Sequence, residues 1–399
     1  MEARHIAILG SYGTKNLGDE AILTGILGLL NTYFPGTRFT VIGPNPEQII
    51  SSHNVTAISA KRTRDLRKKL YVFCSADFLI IGGGGLFQDN RKSNWLKGMI
   101  ATYVSTAILA KIFGCRIALV GVSIGPIFSS SSKVLMSLLC KISTIIVTRD
   151  RESMELALCF GADPAKTFLA ADLALCLTTA IDTLGRGPSL ASRCGCQRDY
   201  CVLSLRPTYS RLNKNQPFGI PQKCMDSLVL FISWIMTSMG LDVIFVPFDP
   251  DHDMAVGNHI EILVNNSERF HVWREPLCIG DLTQLLAAAR VTIGMRLHSL
   301  ILSFAVGTPV LPIPYDAKVF NFARQIGACD ALTPDTLEVE RLQREFCNAI
   351  QKSNTETSDF ANRLTSLRES ICTAFRQLSL TMKKKTSRSK DRKPLEARD

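Results

Sequence analysis

The sequence lacks the features that mark membrane-spanning, secreted or disulfide-stabilised proteins. Its longest uncharged stretch, residues 297–315, contains three prolines, a glycine and a histidine, which favours helix, turn and strand over a membrane span. The apolar run near the start, Ile6–Leu9, is four residues long and ends at a glycine-rich turn, so we expect no secretory signal. The thirteen cysteines are odd in number and scattered, which argues against a disulfide framework and favours a reducing cytosol.

Common cofactor motifs are also missing. The first glycine-containing loop, residues 10–20, has neither the G-x-G-x-x-G spacing of dinucleotide-binding proteins nor the P-loop pattern. A ligand loop and a structural turn therefore both remain open for it. The C-x-C-x₄-C group of Cys194, Cys196 and Cys201 has no clear fourth ligand, so we predict no metal site.

Composition predicts a packed globular protein with an anionic partner. Of the 399 residues, 46% are hydrophobic and 20% are charged, and the net charge is +11. Residues 381–399 carry eight Lys/Arg and three acids, hence +5, and have almost no apolar side chains. We predict a disordered basic tail that is either solubilising or attracted to anionic lipid headgroups. Aromatic residues do not interleave with its charges, so we predict no nucleic-acid binding.

Apolar strand segments alternate with helical segments along the whole chain. Those of the first half are HIAILG, FTVIG, DFLIIGGGG, RIALVGVSIGP and STIIVTRD; those of the second half include YCVLSLRP, LDVIFVPF, VTIGM and PVLPIPY. This pattern predicts an α/β fold of two doubly wound, Rossmann-like domains, residues 1–185 and 199–380, facing a cleft. Ligands of such sheets bind at the carboxyl ends of the strands, where the motifs below lie.

Glycines and an arginine mark strand ends of the first half. The four consecutive glycines at 82–85 favour close approach of a ligand or of another chain segment, and we predict that Gly83 and Gly84 line a ligand site. Arg149 follows an apolar strand and is suited to bind a carboxylate or phosphate, although an ion pair with a neighbouring acid is the alternative.

A cluster of cationic and titratable residues follows two strands of the second half. Arg296 and His298 stand at a strand-to-helix corner, and Lys318 follows the next strand. Cations beside an imidazole, which titrates near neutral pH, suit an anionic ligand with His298 as proton donor.

Together these motifs resemble the polysaccharide pyruvyltransferase family. The matching segments span roughly residues 5–330 in the family's order and are SYGTKNLGDEAIL, DFLIIGGGGLFQD, GVSIGP, TRDRES, SLRP, VPFDPDHD, MRLHS and GTPVLPIPYDAKV. The resemblance implies a glycosyltransferase-B-like architecture. It also implies transfer of a pyruvyl group from phosphoenolpyruvate to a sugar of a cell-surface polysaccharide or its lipid-linked precursor, as a ketal, without a metal or nucleotide cofactor.

The resemblance also implies roles for individual residues. Arg296 and His298 would lie in the donor site, with His298 as general acid and Arg296 stabilising the anionic donor. Arg149 and Lys318 would help to hold phosphoenolpyruvate, and Tyr12 would contribute from the first loop.

The acceptor side and the cellular location follow from the same resemblance. Arg206, in SLRP, matches a family arginine near the acceptor. A cell-envelope biosynthetic role predicts a cytoplasmic enzyme that the basic tail could hold at the inner face of the membrane. Two alternatives stay open: a nucleotide-sugar glycosyltransferase of the same architecture, although no matching glutamate pair stands near MRLHS, and a non-catalytic binding protein on this scaffold.

Overall fold

The computed structural model describes most of the chain, in eight segments: residues 5–61, 65–89, 98–177, 186–208, 217–265, 268–328, 332–355 and 357–383. The chain divides into two compact α/β units. The first unit consists of Met1–Thr14, Ile22–Cys176 and Leu367–Asp399, and the second consists of Lys15–Ala21 and Leu177–Ser366.

A parallel sheet of seven strands forms the centre of the first unit, in the order β3-β2-β1-β4-β5-β6-β7. The strands are β1 (His5–Leu9), β2 (Arg38–Gly43), β3 (Thr56–Ser59), β4 (Phe78–Phe87), β5 (Arg116–Ile124), β6 (Ser143–Thr148) and β7 (Thr167–Leu169). The strands are almost entirely buried because helices cover both faces, and this explains why they read as continuous apolar runs.

Six helices connect the strands of this sheet. They are α1 (Leu17–Tyr33), α2 (Pro46–His53), α3 (Leu66–Ser75), α4 (Met99–Ile112), α5 (Ser130–Ile142) and α6 (Arg151–Cys159). Buried side chains of α3, α4, α5 and α6 share one hydrophobic core with the sheet, so these helices cover the same face. The crossover connections make every strand pair parallel.

The second unit repeats the design with a five-stranded parallel sheet in the order β10-β9-β8-β11-β12. Its strands are β8 (Tyr200–Ser204), β9 (Asp242–Phe245), β10 (Phe270–Val272), β11 (Thr292–Gly294) and β12 (Val310–Pro312). Its helices are α7 (Gly187–Arg193), α8 (Gln222–Thr237), α9 (Pro250–Val264), α10 (Ile279–Ala287), α11 (Leu297–Ala305), α12 (Ala317–Gln325) and α13 (Val339–Thr355). Helix α8 is buried along much of its length because it packs on both α9 and α13.

The last helix, α14 (Thr357–Lys383), continues beyond the predicted domain end at residue 380. Its residues from Leu367 onward belong to the first unit, where the sequence predicted the C-terminal domain. The Arg116 guanidinium donates hydrogen bonds to the carbonyls of Thr381 and Met382, the first at 3.1 Å. A cation bonded to the last carbonyls of a helix stabilises that end. The rest of the predicted tail, residues 384–399, lies outside the described residues.

The sequence predicted neither a disulfide framework nor a membrane span, and the described residues bear on both. None of the twelve cysteines in the described segments forms a disulfide. No helix in these segments combines the length and the apolar composition needed to cross a membrane.

Candidate active site at the second sheet

The carboxyl ends of four neighbouring strands meet at one edge of the second sheet. Strands β8 and β11 lie side by side, with β9 next to β8 and β12 next to β11, so the chain order reverses between β8 and β11. Such a reversal opens a crevice beyond the strand ends, which is the usual ligand position of doubly wound sheets. The side chains that follow these strands therefore define the candidate site.

Arg296 follows β11 and is fixed by carboxylates that follow β9. Its Nε donates to Asp253 Oδ2 at 2.9 Å, and its Nη2 lies 3.4 Å from Asp249 Oδ2. Asp253 is fully buried and also accepts the backbone N–H of Asp249 at 3.0 Å. Burial raises the pKa of the Asp253 carboxyl, and the hydrogen bonds from Arg296 act in the opposite direction. These contacts hold Nε and Nη2, which leaves Nη1 as the group that can turn to an anion.

Arg206 follows β8 and is linked to Tyr315, which follows β12. Arg206 Nη1 donates to the Tyr315 hydroxyl at 2.9 Å. Burial raises the pKa of Tyr315, the negative charge of Asp316 raises it further, and the charges of Arg206 and Arg296 lower it. Because Ser204 pairs with Gly294 in the parallel register of β8 and β11, Arg206 and Arg296 both stand two residues beyond the same edge of the sheet.

His298 lies half-buried in the first turn of α11, against the start of α1. A Cβ atom on Gly18 would stand 2.3 Å from His298 Nδ1 and 2.7 Å from its Cγ, so only glycine leaves room for the ring. The backbone of this segment is fixed as well: Gly18 N donates to Asn16 Oδ1 at 2.9 Å, and Leu17 N donates to the carbonyl of Phe248 at 2.8 Å. The imidazole is thus positioned by backbone that belongs to the same unit.

Lys318 lies half-buried in the first turn of α12, next to this cluster in sequence. The helix begins at Asp316, whose carboxylate accepts the backbone N–H of Val319 at 3.0 Å. Asp316 therefore caps the helix. The sequence motifs after β8, β9, β11 and β12 thus contribute to one group of residues in the second unit.

The first unit contains the other residues that the sequence singled out, and there they pack against protein. Tyr12 is 1% exposed, and its hydroxyl donates to the carbonyl of Gly82 at 2.5 Å. A Cβ on Gly83 would stand 2.1 Å from Ile22 Cγ2 and 3.0 Å from the Tyr12 hydroxyl. Gly83 and Gly84 both have positive φ, +73° and +76°. For Tyr12 and Gly83 we replace the predicted contact with substrate by a packing role, because protein atoms fill the space beside them.

Arg149 forms a buried ion pair instead of facing open space. Its side chain is 6% exposed, with Nη1 3.1 Å from Asp172 Oδ2 and Nε 3.6 Å from Asp150 Oδ2. Asp172 is equally buried and also accepts the backbone N–H of Ala174 at 3.1 Å. The ion-pair alternative from the sequence describes this geometry, although its main partner, Asp172, is 23 residues away. We therefore propose a structural role for Arg149 in place of the predicted contact with phosphoenolpyruvate, which no comparison tests.

Comparison with known families identifies the family of this chain. The profile of polysaccharide pyruvyl transferases matches residues 16–317. The chain belongs to this family. The amylovoran biosynthesis protein AmsJ of Erwinia amylovora is 23% identical to it over 370 residues, which cover 81% of this chain and 86% of AmsJ. This pyruvyl transferase family member is thus a transferase with a role in polysaccharide biosynthesis, as the motif set predicts.

Solved structures confirm the predicted fold class of this pyruvyl transferase family member. The UDP-GlcNAc 2-epimerase of Methanocaldococcus jannaschii has a TM-score of 0.60 at 13% identity, covering 87% of this chain and 92% of the epimerase. Anabaena HepE, solved in complex with UDP-glucose, has a TM-score of 0.58 at 12% identity, covering 95% and 99%. At these identities the likeness shows the fold alone, which is α/β with two Rossmann-like units and glycosyltransferase-B-like.

Two residues of the second-unit site, Asp253 and Tyr315, were not singled out from the sequence, and Gly18 was noted only as a glycine of the first loop. Asp253 was quoted within VPFDPDHD without a role, yet it anchors Arg296. Tyr315 connects the strand ends, and Gly18 makes room for His298. A glycine in the first turn of a helix is unfavourable in itself, and this was the one signal that could have pointed to close packing at Gly18.

The cysteine group considered for metal binding forms part of a different cluster. In the described part of the chain, ligand atoms of Cys196, Asp242 and His271, all buried, lie within 4.8 Å of one another. Asp242 Oδ1 already accepts a hydrogen bond from Arg269 Nε at 3.2 Å, and Asp242 Oδ2 lies 3.3 Å from His271 Nε2. The positive charge of Arg269 offsets the negative charge of Asp242, the carboxylate of this cluster, which a metal cation would need. We therefore interpret the cluster as a structural hydrogen-bond network.

Proposed function

We propose that this protein transfers the pyruvyl group of phosphoenolpyruvate to a sugar of a cell-surface polysaccharide or of its lipid-linked precursor, forming a pyruvate ketal. The observation that supports this most is the convergence of Arg206, Arg296 and a half-buried His298 where the strand order of the second sheet reverses. Family membership supports the pyruvyl group as the transferred unit.

The donor would be held by cations at this sheet edge. Phosphoenolpyruvate carries a carboxylate and a phosphate, so a guanidinium that can form paired hydrogen bonds suits it better than a neutral donor. Arg296 is prealigned by Asp253. The family resemblance implies that Arg206 lies near the acceptor, but we assign it to the donor because Tyr315 prealigns it at the same sheet edge. Lys318 would add a third cation from the start of α12. Prealigned charges stabilise a transition state without the cost of reorganising solvent.

His298 would act as the general acid in the first chemical step. Proton transfer from the imidazole to the methylene carbon of phosphoenolpyruvate makes C2 an oxocarbenium-like centre, which a sugar hydroxyl attacks. Loss of phosphate breaks the C2–O bond, and attack by a second hydroxyl closes the ketal ring. One hydroxyl proton replaces the proton that the imidazole gave, and the other leaves with phosphate. This scheme needs neither a metal nor a nucleotide cofactor.

A phosphate-release assay tests the proposal. Purified full-length protein is incubated with phosphoenolpyruvate and a panel of sugars and glycolipids, and inorganic phosphate is measured with and without each acceptor. Acceptor-dependent release from phosphoenolpyruvate is expected. A parallel arm supplies UDP-sugars as donors; consumption of these, with phosphoenolpyruvate untouched, would instead identify a nucleotide-sugar glycosyltransferase.

Substitution of Gly18 by alanine should impair turnover without harming the fold. The added Cβ overlaps the His298 ring and must displace it, and misplacement of a reacting group by about 1 Å costs on the order of a hundredfold in rate. Alanine is otherwise the better helix former by about 1 kcal/mol, so the melting temperature should not fall substantially. Gly28→Ala in the same helix is the matched control, because nothing lies within 4 Å of its Cβ position. Equal turnover of both variants would show that the ring position is unimportant.

A further inference from the structure

Two neighbouring helices over one face of the first sheet, α4 and α5, carry charge of a single sign. Residues 90–149, which include α4 and α5, contain eight Lys/Arg and no Asp or Glu, in a chain that has 35 acids among 399 residues. Helix α4 has a single charged side chain, Lys111, and α5 has two, Lys133 and Lys141. All three lysines are exposed.

Large apolar side chains are exposed on the same pair of helices. Ile112, at the end of α4, is 73% exposed, and Val134, on α5, is 69% exposed. Leu138, one turn after Val134, and Phe128, just before α5, are also exposed. In a soluble helix these outward positions are normally polar.

These residues belong to one surface. Helices α4 and α5 pack against each other over the same hydrophobic core. Lys111 Nζ donates to the carbonyl of Ile142 at 2.9 Å, which joins the last turns of the two helices. Val134 and Leu138 are four residues apart, and Lys141 is three residues beyond Leu138, so the three share one side of α5. We call the surface formed by Lys111, Ile112, Phe128, Lys133, Val134, Leu138 and Lys141 the α4–α5 face.

Helix α3 extends the same character to the neighbouring surface. It contacts α4 and exposes Leu66 and Tyr71, each by nearly half, beside the exposed Arg67 and Lys68. Cations outnumber carboxylates on this surface, where Asp65 lies near Lys68 and Asp89 near Phe128. Apolar groups beside an excess of cations are complementary to an anionic bilayer, in which apolar side chains enter the headgroup region and lysines reach phosphates.

We propose that the α4–α5 face is a membrane-docking surface that binds the protein peripherally to bilayers containing anionic lipids. The face sits on the folded first unit and is separate from the second-unit cluster assigned to catalysis. The inference therefore does not depend on the proposed reaction. The proposal assigns membrane contact to the α4–α5 face. The sequence had instead suggested the basic tail as the segment attracted to anionic lipids.

Vesicle co-sedimentation of the full-length protein tests this assignment. Wild type should bind vesicles of phosphatidylcholine with 30% phosphatidylglycerol, bind pure phosphatidylcholine vesicles at least tenfold more weakly, and dissociate as salt is raised. The Lys133→Glu/Lys141→Glu variant should bind the anionic vesicles at least tenfold more weakly. Val134→Ser/Leu138→Ser should lose a similar factor because the apolar contribution is removed.

Matched variants separate this face from general stickiness and from the tail. Ile262, 74% exposed on α9 of the second unit, provides the control Ile262→Ser, which should bind vesicles like wild type. Lys384→Gln/Lys385→Gln/Arg388→Gln, in the tail, should retain most of the binding. Unchanged melting temperatures establish that the variants are folded.

Three results would overturn the proposal. The first is a wild-type protein that binds no anionic vesicles. The second is binding that survives both face variants or disappears with the tail variant. The third is concentration-dependent self-association in sedimentation velocity that Val134→Ser/Leu138→Ser abolishes, since the face would then be a contact between two copies of this chain.

Discussion

The His298→Ala variant is expected to turn over phosphoenolpyruvate at least a hundredfold more slowly than wild type. General acid catalysis typically contributes 10²- to 10⁴-fold in rate, and His298 is the imidazole placed beside the cations of the second-unit site. Binding of the donor should change much less, because Arg206 and Arg296 keep their own anchors, Tyr315 and Asp253. The loss should therefore appear in kcat, and the KM for phosphoenolpyruvate should remain within a few-fold.

Two variants make this result specific. His298→Asn keeps a polar side chain against Gly18 but cannot act as the acid, so it should be as slow as His298→Ala. His259 is the matched control: it is also half-buried, lies on α9 of the same unit and packs 5.4 Å from the ring of Phe218. His259→Ala should turn over normally. Near-normal turnover of both His298 variants would remove the histidine from the chemical step.

Replacement of Arg149 by methionine is expected to destabilise the protein by about 3–5 kcal/mol, because it leaves Asp172 charged and buried without its main partner. Chemical denaturation of the full-length protein measures this loss of stability. Removing both charges with Arg149→Met/Asp172→Asn should recover part of the lost stability, which a loss of simple packing would not do.

An exposed neighbour provides the comparison for Arg149. Arg151, two residues on, is exposed, so Arg151→Met should change the free energy of unfolding by less than about 0.5 kcal/mol. A folded Arg149→Met variant with normal stability and a strongly raised KM for phosphoenolpyruvate would contradict the structural role. It would restore the donor-binding role implied by the family resemblance.

The fold followed from local pattern because strands buried on both faces need apolar side chains at every position. HIAILG and VTIGM show this directly, and both became strands of parallel sheets. The end of the chain was different. No local sequence pattern indicates that Arg116 donates hydrogen bonds to the last carbonyls of α14, since that contact joins residues 265 positions apart.

Within the site, the sequence could identify residues of suitable chemistry, but it could not identify the residues that they contact. The order of the strands brings Arg206 and Arg296 to one sheet edge, and their motifs marked both. Arg149 has the same local signature, an arginine after an apolar strand, yet Asp172 neutralises it. The glycine run at 82–85 favoured a ligand site over packing, and the sequence could not show that Ile22 and Tyr12 fill the space beside Gly83.

Analysis of the reaction product is the most direct test of pyruvyl transfer to an acceptor. Wild-type protein is incubated with isotopically labelled phosphoenolpyruvate and an accepted sugar or glycolipid, and label in the acceptor is compared with phosphate released. We expect one pyruvyl group incorporated per phosphate, present as a ketal by NMR, with incorporation at least a hundredfold slower for His298→Ala. Phosphate release without label in any acceptor, or incorporation unaffected by His298→Ala, would contradict the account.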